Sequence, residues 1–344
     1  MYILGIETSC DETSVSIVKD GTEIICNIIS SSQLLHKKTG GIIPEIASRE
    51  QVKFILPVIN EALSSSNFTL DNIDAIAVTF GPGLIGSLLI GVETAKTLAF
   101  ILEKPLIPVN HIFAHLYANW LTINSPQFPS VGLIVSGGHT ELFLIKDHHK
   151  IIWIGGTKDD AAGECFDKTA RLLGLGYPGG PAISNSASQL TKDNLQLITK
   201  LPRPMIDSKD LNFSFSGLKT AVLKEVNRLK KDQHFNILSI QQLSYEIQEA
   251  ITDVLVTKTL DAANKYHVRS ILIGGGVAAN NRLKEKFHDS LSNSQPITQN
   301  LQLFIPPPKL CTDNAAYIAS FAYFHYHPIP WQKIQAHPNL EVEV

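Results

Sequence analysis

Residues 2–18, YILGIETSCDETSVSIV, consist of two short apolar segments on either side of a polar turn. The two segments have the length and residue types of strands, and residues 23–29 show the pattern of a third. The same arrangement returns as VGLIVSGGHTELFLI at residues 131–145, with a third strand pattern at 150–154. The sequence therefore predicts a duplicated hairpin, with one copy opening each half of the chain.

Each half continues with a strand, a glycine-containing loop and a helix. The first set comprises a strand at 75–79, the loop 81–87 and a helix to about Glu103, and the second a strand at 270–273, the loop 274–276 and a helix from Ala278 to Leu291. This alternation predicts mixed α/β layers. Glycines between a strand and a helix N-terminus leave backbone N–H groups available for an anion, although tight turns without a ligand use the same residues.

Length and composition limit the possible protein classes. A chain of 344 residues with 44% hydrophobic and 18% charged residues predicts two folded domains rather than disorder. The net charge of −3 excludes a global polycation, so a nucleic acid would have to contact local basic patches. One such patch combines Lys37 and Lys38 with Arg49 and Lys53, whereas the cluster at 224–231 is equally typical of a solvated helix face.

The four cysteines form no Cys-x-x-Cys pair, and the chain starts with a strand pattern rather than a signal sequence. These features predict a cytoplasmic protein with free thiols. The most apolar run, from Ser87 to Leu102, is interrupted by Glu93 and Lys96, so no membrane-spanning segment is expected.

A metal site is suggested by His111 and His115, which are four residues apart and would share one face of a helix. Two imidazoles with a distant carboxylate, Asp313, form a reasonable ligand set. The alternative is that both histidines are polar residues at a helix edge. A zinc peptidase of the common type needs a glutamate directly after the first histidine, and Ile112 occupies that position.

Seven motifs that occur in a fixed order carry a family resemblance. They are Glu7 to Thr13, His111-x-x-x-His115, Ser136 to Thr140, Gly163-Glu164 through Asp167-Lys168, Tyr177 to Pro181, Gly274 to Asn280 and Cys311 to Asn314. Together they resemble the bacterial TsaD family of tRNA adenosine threonylcarbamoyltransferases, formerly described as O-sialoglycoprotein endopeptidase-like. The resemblance extends from Tyr2 to about Tyr326.

The resemblance implies an α/β, two-lobed actin-like ATPase fold with duplicated mixed-sheet lobes, as in sugar kinases, heat-shock chaperones and actin. We expect residues 1–129 to form the first lobe and residues 130–311 the second. A helix over 312–326 should pack back on the first lobe. Residues 327–344 should form a peripheral tail.

The resemblance also implies an activity, the transfer of a threonylcarbamoyl group from threonylcarbamoyl-AMP to the exocyclic amine of adenosine at tRNA position 37. The tRNAs concerned read codons that begin with adenine. The expected partners are tRNA, the donor, and TsaB-like and TsaE-like proteins. Alternatives are a small-molecule kinase or ATPase of the same fold, a non-catalytic scaffold that a nucleotide locks in a complex, and a metalloprotease.

In this family the metal, usually iron, is bound by residues that match His111, His115 and Asp313. One divalent ion per subunit is therefore expected, Fe²⁺ first, with Zn²⁺ or Mg²⁺ as alternatives. Asp11 and Glu12 lie in the first hairpin turn, where a catalytic part is implied. Acidic residues are also common in turns for structural reasons.

Substrate-binding positions follow from the same resemblance. They are Val135, Ser136, Gly137, Gly138, His139, Asp167, Gly180 and Asn280. Asp167 is implied to contact a nucleotide ribose, although a surface ion pair with Arg171 is the alternative reading of its spacing. The chain departs from the common family pattern at Phe113-Ala114, often Glu-Gly, and at Ser184, often Asp.

Overall fold

The structure is a computed structural model that describes residues 1–37, 41–191, 199–292 and 301–342. Of the basic patch expected from the sequence, Lys38 and the side chain of Lys37 lie outside the described residues. The chain divides into two compact units. Unit 1 combines Met1–Pro126 with Pro306–Val344, and unit 2 is Gln127–Ile305.

Unit 1 contains a five-stranded mixed sheet in the order β3-β2-β1-β4-β5. Its strands are β1 (Tyr2–Glu7), β2 (Glu12–Lys19), β3 (Glu23–Ser31), β4 (Ala75–Gly81) and β5 (Leu106–Asn110). The first three strands pair antiparallel, and β4 and β5 add to β1 in parallel. The hairpin expected from residues 2–18 is therefore present and lies at the centre of the sheet.

The helices of unit 1 connect and cover these strands. They are α1 (Gln33–Lys37), α2 (Pro44–Ser66), α3 (Ile85–Leu102), α4 (His111–Tyr117), α10 (Pro308–Cys311) and α11 (Ala315–Phe324). The buried side chains of Ile55 from α2 and Val92 from α3 share a core with Ile6 and Val78 from the sheet. Helix α11 packs against β1 so closely that a Cβ at Gly5 would lie 2.4 Å from the Ala315 carbonyl oxygen.

The C-terminal segment differs from the expected peripheral tail. Ile334 is 1% exposed and joins the unit 1 core, because the segment runs along the sheet. The N–H of Ile329 donates to the Leu106 carbonyl at 3.0 Å, and that of His337 donates to the Phe80 carbonyl at 2.7 Å. The buried Cys311 also falls in unit 1, although the sequence placed residues through 311 in the second lobe.

Unit 2 repeats the sheet of unit 1, in the order β10-β9-β6-β7-β8. Its strands are β6 (Ser130–Val135), β7 (Thr140–Asp147), β8 (Lys150–Gly156), β9 (Ser270–Gly274) and β10 (Gln302–Phe304). Strands β6, β7 and β8 pair antiparallel, and β9 and β10 continue the sheet in parallel from β6. The two sheets share one topology, which confirms the duplicated mixed-sheet architecture.

The helices of unit 2 lie between β8 and β10 in the chain. They are α5 (Ala162–Leu172), α6 (Gly179–Ser188), α7 (Ser216–Lys231), α8 (Ile237–Tyr266) and α9 (Asn281–Ser292). The helix expected over 278–291 begins later, because residues 276–279 form a 3₁₀ turn first. The side-chain oxygen of Asn280 then accepts the N–H of Leu283 at 3.1 Å, which caps α9.

One described helix, α3, is long and apolar enough by length and composition to cross a membrane. Leu88, Val92 and Ala95 on α3 are fully buried, and the helix contacts β4. A core helix of this kind satisfies the same criteria, so the composition of α3 is weak evidence for a membrane span.

Candidate active site

The two histidines are placed by a capped helix start at the end of β5. The side-chain oxygen of Asn110 accepts the N–H groups of Ile112 at 2.8 Å and Phe113 at 3.4 Å. Such a cap fixes where a helix begins. His111 is consequently the first residue of α4, and His115 follows one turn later on the same face.

The structure brings His111, His115 and Asp313 together. Nε2 of His111 lies 3.2 Å from Nε2 of His115, and these nitrogens lie 3.8 Å and 3.5 Å from Oδ1 of Asp313. One ligand atom from each residue falls within 4.8 Å of the other two. Two imidazole nitrogens and a carboxylate oxygen at this spacing can meet one divalent cation.

Asp313 lies in the short link between α10 and α11. The Asn314 side-chain oxygen accepts the N–H of Ala316 at 3.1 Å, and its amide donates to the Thr312 carbonyl at 2.7 Å. Asn314 therefore fixes the backbone on both sides of Asp313. The hydroxyl of Tyr317 donates to Oδ1 of Asp313 at 3.4 Å.

Glu7 is a part of this site that the sequence reasoning missed. It ends β1, is fully buried, and places Oε2 at 3.2 Å from Nδ1 of His111. Thr79 donates its hydroxyl to Oε2, and the N–H of Ser9 donates to Oε1, both at 2.5 Å. The sequence signal for Glu7 was a charged residue at the end of an otherwise apolar strand. A charged side chain is buried only where hydrogen-bond or ion-pair partners surround it, so its position indicated a polar site.

The charges of the site influence one another. Burial lowers the pKa of His111, but the charges of Glu7 and Asp313 outweigh this effect and raise it to about 9. Removal from water raises the pKa of Asp313 to about 6, against the opposing charge of His111. Burial alone would raise the pKa of Glu7, but His111 and the hydrogen-bond donors bring it below its ordinary value. A cation between these groups would relieve the carboxylate repulsion, so the residues fit a divalent metal.

The acidic turn between β1 and β2 contains Asp11 and Glu12. Gln51 of α2 holds this turn by donating to the carbonyls of Glu12 at 2.9 Å and Cys10 at 3.1 Å. Removal from water, together with the negative charges of Asp11 and Asp313, raises the pKa of Glu12 well above its ordinary value. The turn is therefore electrostatically coupled to the carboxylate beside the two histidines.

In unit 2, the expected substrate-binding segment consists of Val135, the last residue of β6, and the turn from Ser136 to His139 that leads to β7. The N–H of Ser136 donates to the His139 carbonyl at 2.9 Å, which closes the turn. A Cβ at Gly137 or Gly138 would meet nothing within 4 Å, so both glycines border open space. Gly275 has φ +92 and packs against the Val135 carbonyl, a conformation and an approach that glycine permits.

Asp167 contacts Gly179, the residue before Gly180, in the same unit. Oδ1 of Asp167 accepts the N–H of Gly179 at 2.7 Å, which ties the start of α6 to α5. Burial raises the pKa of Asp167, while the Gly179 hydrogen bond and the charge of Arg171 oppose this shift. Gly180 has open space where a Cβ would lie.

Asn280 is engaged in a small polar cluster as well as in the cap of α9. Its amide nitrogen lies 3.0 Å from Oγ of Ser184 and 3.2 Å from Oε1 of Gln248. The hydroxyl of Ser184 donates to the same Gln248 oxygen at 2.6 Å. Ser184 therefore helps to orient Asn280.

In the first glycine loop, residues 81–87, two backbone N–H groups already donate to carbonyls of the protein itself. The N–H groups of Gly83 and Leu84 donate to the carbonyls of Pro338 at 3.1 Å and Ser9 at 2.8 Å. A Cβ at Gly83 would lie 2.5 Å from the Ser9 carbonyl oxygen. Close backbone packing explains this loop, and these two donors are not available to the anion that the sequence suggested.

Comparison with known protein families shows the family to which the chain belongs. Residues 23–320 match the family described as TsaD, tRNA N6-adenosine threonylcarbamoyltransferase. The chain belongs to the TsaD family. The family resemblance and the enzyme class expected from the seven motifs are thus confirmed: the protein is a transferase of tRNA processing.

Curated members of the TsaD family match over nearly the whole chain. A protein of that name from Syntrophomonas wolfei is 48% identical over 94% of this chain and 92% of its own length. The relative from Bacillus cereus is 47% identical over 99% of this chain and 96% of its own length. A third, from Thermosipho africanus, is 47% identical over 99% of this chain and all of its own length.

Solved structures of low sequence identity share the TsaD-type fold. HypF from T. kodakarensis aligns with a TM-score of 0.62 at 14% identity, over 94% of this chain and 47% of that chain. Component A of the (R)-2-hydroxyglutaryl-CoA dehydratase from Acidaminococcus fermentans aligns with a TM-score of 0.52 at 15% identity, over 94% of this chain and 98% of that chain. These likenesses confirm the actin-like fold that the family resemblance implied.

Proposed function

We propose that the chain transfers a threonylcarbamoyl group from threonylcarbamoyl-AMP to the exocyclic amine of adenosine at tRNA position 37. The acceptors are tRNAs that read codons beginning with adenine. The observation that carries the proposal is the membership of the TsaD family together with the close approach of His111, His115 and Asp313.

The proposed reaction needs positioning more than activation, because the donor is already a mixed anhydride. The adenosine amine attacks the carbamoyl carbon, a C–N bond forms, the C–O bond to the phosphate breaks, and AMP leaves with the electron pair. The amine loses one proton to a base. The protein must align the two reactants and stabilise charge on the carbonyl oxygen and on AMP.

We propose one divalent metal ion on His111, His115 and Asp313, Fe²⁺ first, with Zn²⁺ or Mg²⁺ as alternatives. Two imidazole ligands favour iron or zinc over magnesium, which prefers oxygen ligands. When bound, such an ion supplies a Lewis acid for an oxygen of the donor. The protein residues hold the site ready, since α4 is capped at Asn110 and Asp313 is fixed by Asn314.

Glu12 is proposed as the base and Asp11 as the residue that tunes it. Removal from water and the neighbouring Asp11 charge raise the pKa of Glu12. A carboxylate of raised pKa accepts a proton more readily than an ordinary one. The hydrogen bonds from Gln51 to the carbonyls of Cys10 and Glu12 support this assignment, because they hold the turn in place.

The adenosine part of the donor is assigned to Asp167, Gly180 and Asn280, and the segment Val135–His139 is assigned to the rest of the donor. The open space beside Gly137, Gly138 and Gly180 supports this assignment. Asp167 uses one oxygen for Gly179 and, as a carboxylate, has further acceptor capacity for ribose hydroxyls.

Substituting Asn for Asp167 tests the nucleotide assignment. The amide oxygen of Asn still accepts the Gly179 N–H, so the start of α6 is preserved while the charge is lost. Loss of a hydrogen bond to a charged acceptor costs about 1.5–3 kcal/mol, and we expect AMP or ATP binding to weaken roughly tenfold to a hundredfold in calorimetry. Arg171→Ala is the matched control and should leave the affinity unchanged. Equal weakening in both variants would favour the ion pair instead.

The proposed partners are tRNA and TsaB-like and TsaE-like proteins, in the cytoplasm and away from membranes. A net charge of −3 gives the whole chain no general attraction for RNA, so additional proteins that contribute to tRNA binding are reasonable.

Nucleoside analysis in cells tests the proposed function. We expect depletion of the protein to remove threonylcarbamoyladenosine from bulk tRNA, as measured by mass spectrometry of digested nucleosides. Re-expression of the intact chain should restore the modification, whereas Asp313→Asn should not. Unchanged modification after complete depletion would contradict the proposal.

A further inference from the structure

Glu7 is a buried carboxylate to which neither the sequence nor the family match gives a role. Its side chain is fully buried at the end of β1. Among the described residues, the His111 imidazole is the one basic group within ion-pair distance of Glu7. A buried carboxylate with so few compensating charges is costly, and an apolar residue would serve packing alone better.

The hydrogen bonds to Glu7 fix the orientation of its carboxylate. Thr79 and the Ser9 backbone donate hydrogen bonds to its two oxygens at 2.5 Å each. These donors come from β4 and from the turn after β1, so they hold the carboxylate from two sides. Oε2 then lies 3.2 Å from Nδ1 of His111, and Oγ of Ser9 lies at the same distance from that nitrogen.

The opposite ring nitrogen of His111 faces the candidate metal site. Its Nε2 lies 3.2 Å from Nε2 of His115 and 3.8 Å from Oδ1 of Asp313. An imidazole that binds a metal ion through one nitrogen carries its single proton on the other, so a proton kept on Nδ1 leaves the Nε2 electron pair for the ion. A carboxylate acceptor for the Nδ1 proton also makes the other nitrogen a better ligand.

We propose that Glu7 is the positioning residue for His111: its carboxylate accepts a hydrogen bond from the Nδ1–H group, keeps the proton on that nitrogen, and thereby directs the Nε2 electron pair toward His115 and Asp313. The inference rests on the proposed metal site and adds to it the residue that selects the tautomer. The Thr79 hydroxyl and the Ser9 backbone N–H act through Glu7, since their hydrogen bonds fix its carboxylate.

Metal titration of the full-length, metal-free protein tests the proposal, with Co²⁺ followed by its visible absorption and Zn²⁺ by competition with a chromophoric chelator. Glu7→Gln keeps the shape and removes the charge, and we expect its dissociation constant to rise roughly tenfold to a hundredfold. Thr79→Val keeps Glu7 but removes one hydrogen bond to its carboxylate, and we expect a smaller rise in the dissociation constant. The Co²⁺ absorption of both variants should differ from that of the parent protein.

Ser16→Ala is the matched control. The Ser16 hydroxyl is buried in the adjacent strand and donates to the Cys26 carbonyl at 2.6 Å, so its removal also costs one buried hydrogen bond in this sheet. We expect it to lower the thermal unfolding midpoint without changing metal affinity or the Co²⁺ spectrum. If Glu7 had only a structural role, Glu7→Gln would likewise lower the unfolding midpoint and leave the metal affinity and the Co²⁺ spectrum unchanged.

The outcomes separate this inference from the proposed function. Parent-like metal affinity and spectrum in Glu7→Gln would overturn the positioning role while leaving the metal site intact. Failure of the parent protein to bind any divalent ion would overturn both the positioning role and the proposed metal site. Weakened binding in Glu7→Gln, with no transfer by the parent protein, would support the positioning role and contradict the transferase proposal.

Discussion

A protein with alanine at both His111 and His115 is expected to contain no stoichiometric metal. Two of the three candidate ligands are then gone, and Asp313 alone offers a single oxygen to an ion that prefers several protein ligands. Threonylcarbamoyl transfer should fall to background in the same variant. Elemental analysis of the purified protein and a tRNA modification assay measure the two effects.

The control for this variant replaces His148 and His149 by alanine. Both lie in the turn between β7 and β8 of unit 2, and neither is one of the three candidate ligands. The control should keep full metal content and full activity. Retention of one metal per chain in the His111 and His115 double variant, with a parent-like circular dichroism spectrum, would exclude the assigned ligands.

Glu12→Gln is expected to lower the transfer rate by about 10²- to 10⁴-fold, the usual contribution of a positioned general base. The amide has the shape of the carboxylate and cannot take the amine proton. Metal content should stay at the parent level, because Glu12 is not one of the three candidate ligands. Single-turnover transfer to tRNA, with the donor supplied in excess, measures the rate of the chemical step.

Glu23→Gln is the matched control for Glu12. Glu23 starts β3 and forms a surface ion pair with Lys19, which contributes little to stability. We expect its transfer rate to equal that of the parent protein. A Glu12→Gln rate within threefold of the parent would assign Glu12 a structural part in the turn rather than the role of the base.

The local patterns predicted the sheets well because the duplicated hairpin is a short-range signal. The hairpin of β1 and β2 and the hairpin of β6 and β7 share one sequence pattern, two apolar segments on either side of a polar turn. The spacing of His111 and His115 likewise predicted the helix that carries them. The polar contacts depend on long-range packing instead. Glu7 and His111 are 104 positions apart, so their contact could not be derived from periodicity.

The C-terminal segment and the first glycine loop show a second limit. The family resemblance ends near Tyr326, and the proline-containing sequence that follows has no helix or strand pattern, so it predicts a peripheral position. The segment is held by backbone hydrogen bonds at Ile329 and His337 and by one buried side chain, Ile334. For the loop at 81–87 the sequence leaves an anion site and a tight turn both open, because it does not show that the Ser9 and Pro338 carbonyls take the donors.

The most direct test of the proposed activity uses purified components. The parent chain would be incubated with TsaB-like and TsaE-like partners, tRNA that reads codons beginning with adenine, and threonylcarbamoyl-AMP carrying a ¹³C label in the carbamoyl carbon. We predict that mass spectrometry of the digested tRNA shows labelled threonylcarbamoyladenosine at position 37, formed only when this chain is present and lost in Asp313→Asn. Labelled product at the same rate without the chain, or none in the complete system with metal-loaded protein, would contradict the account.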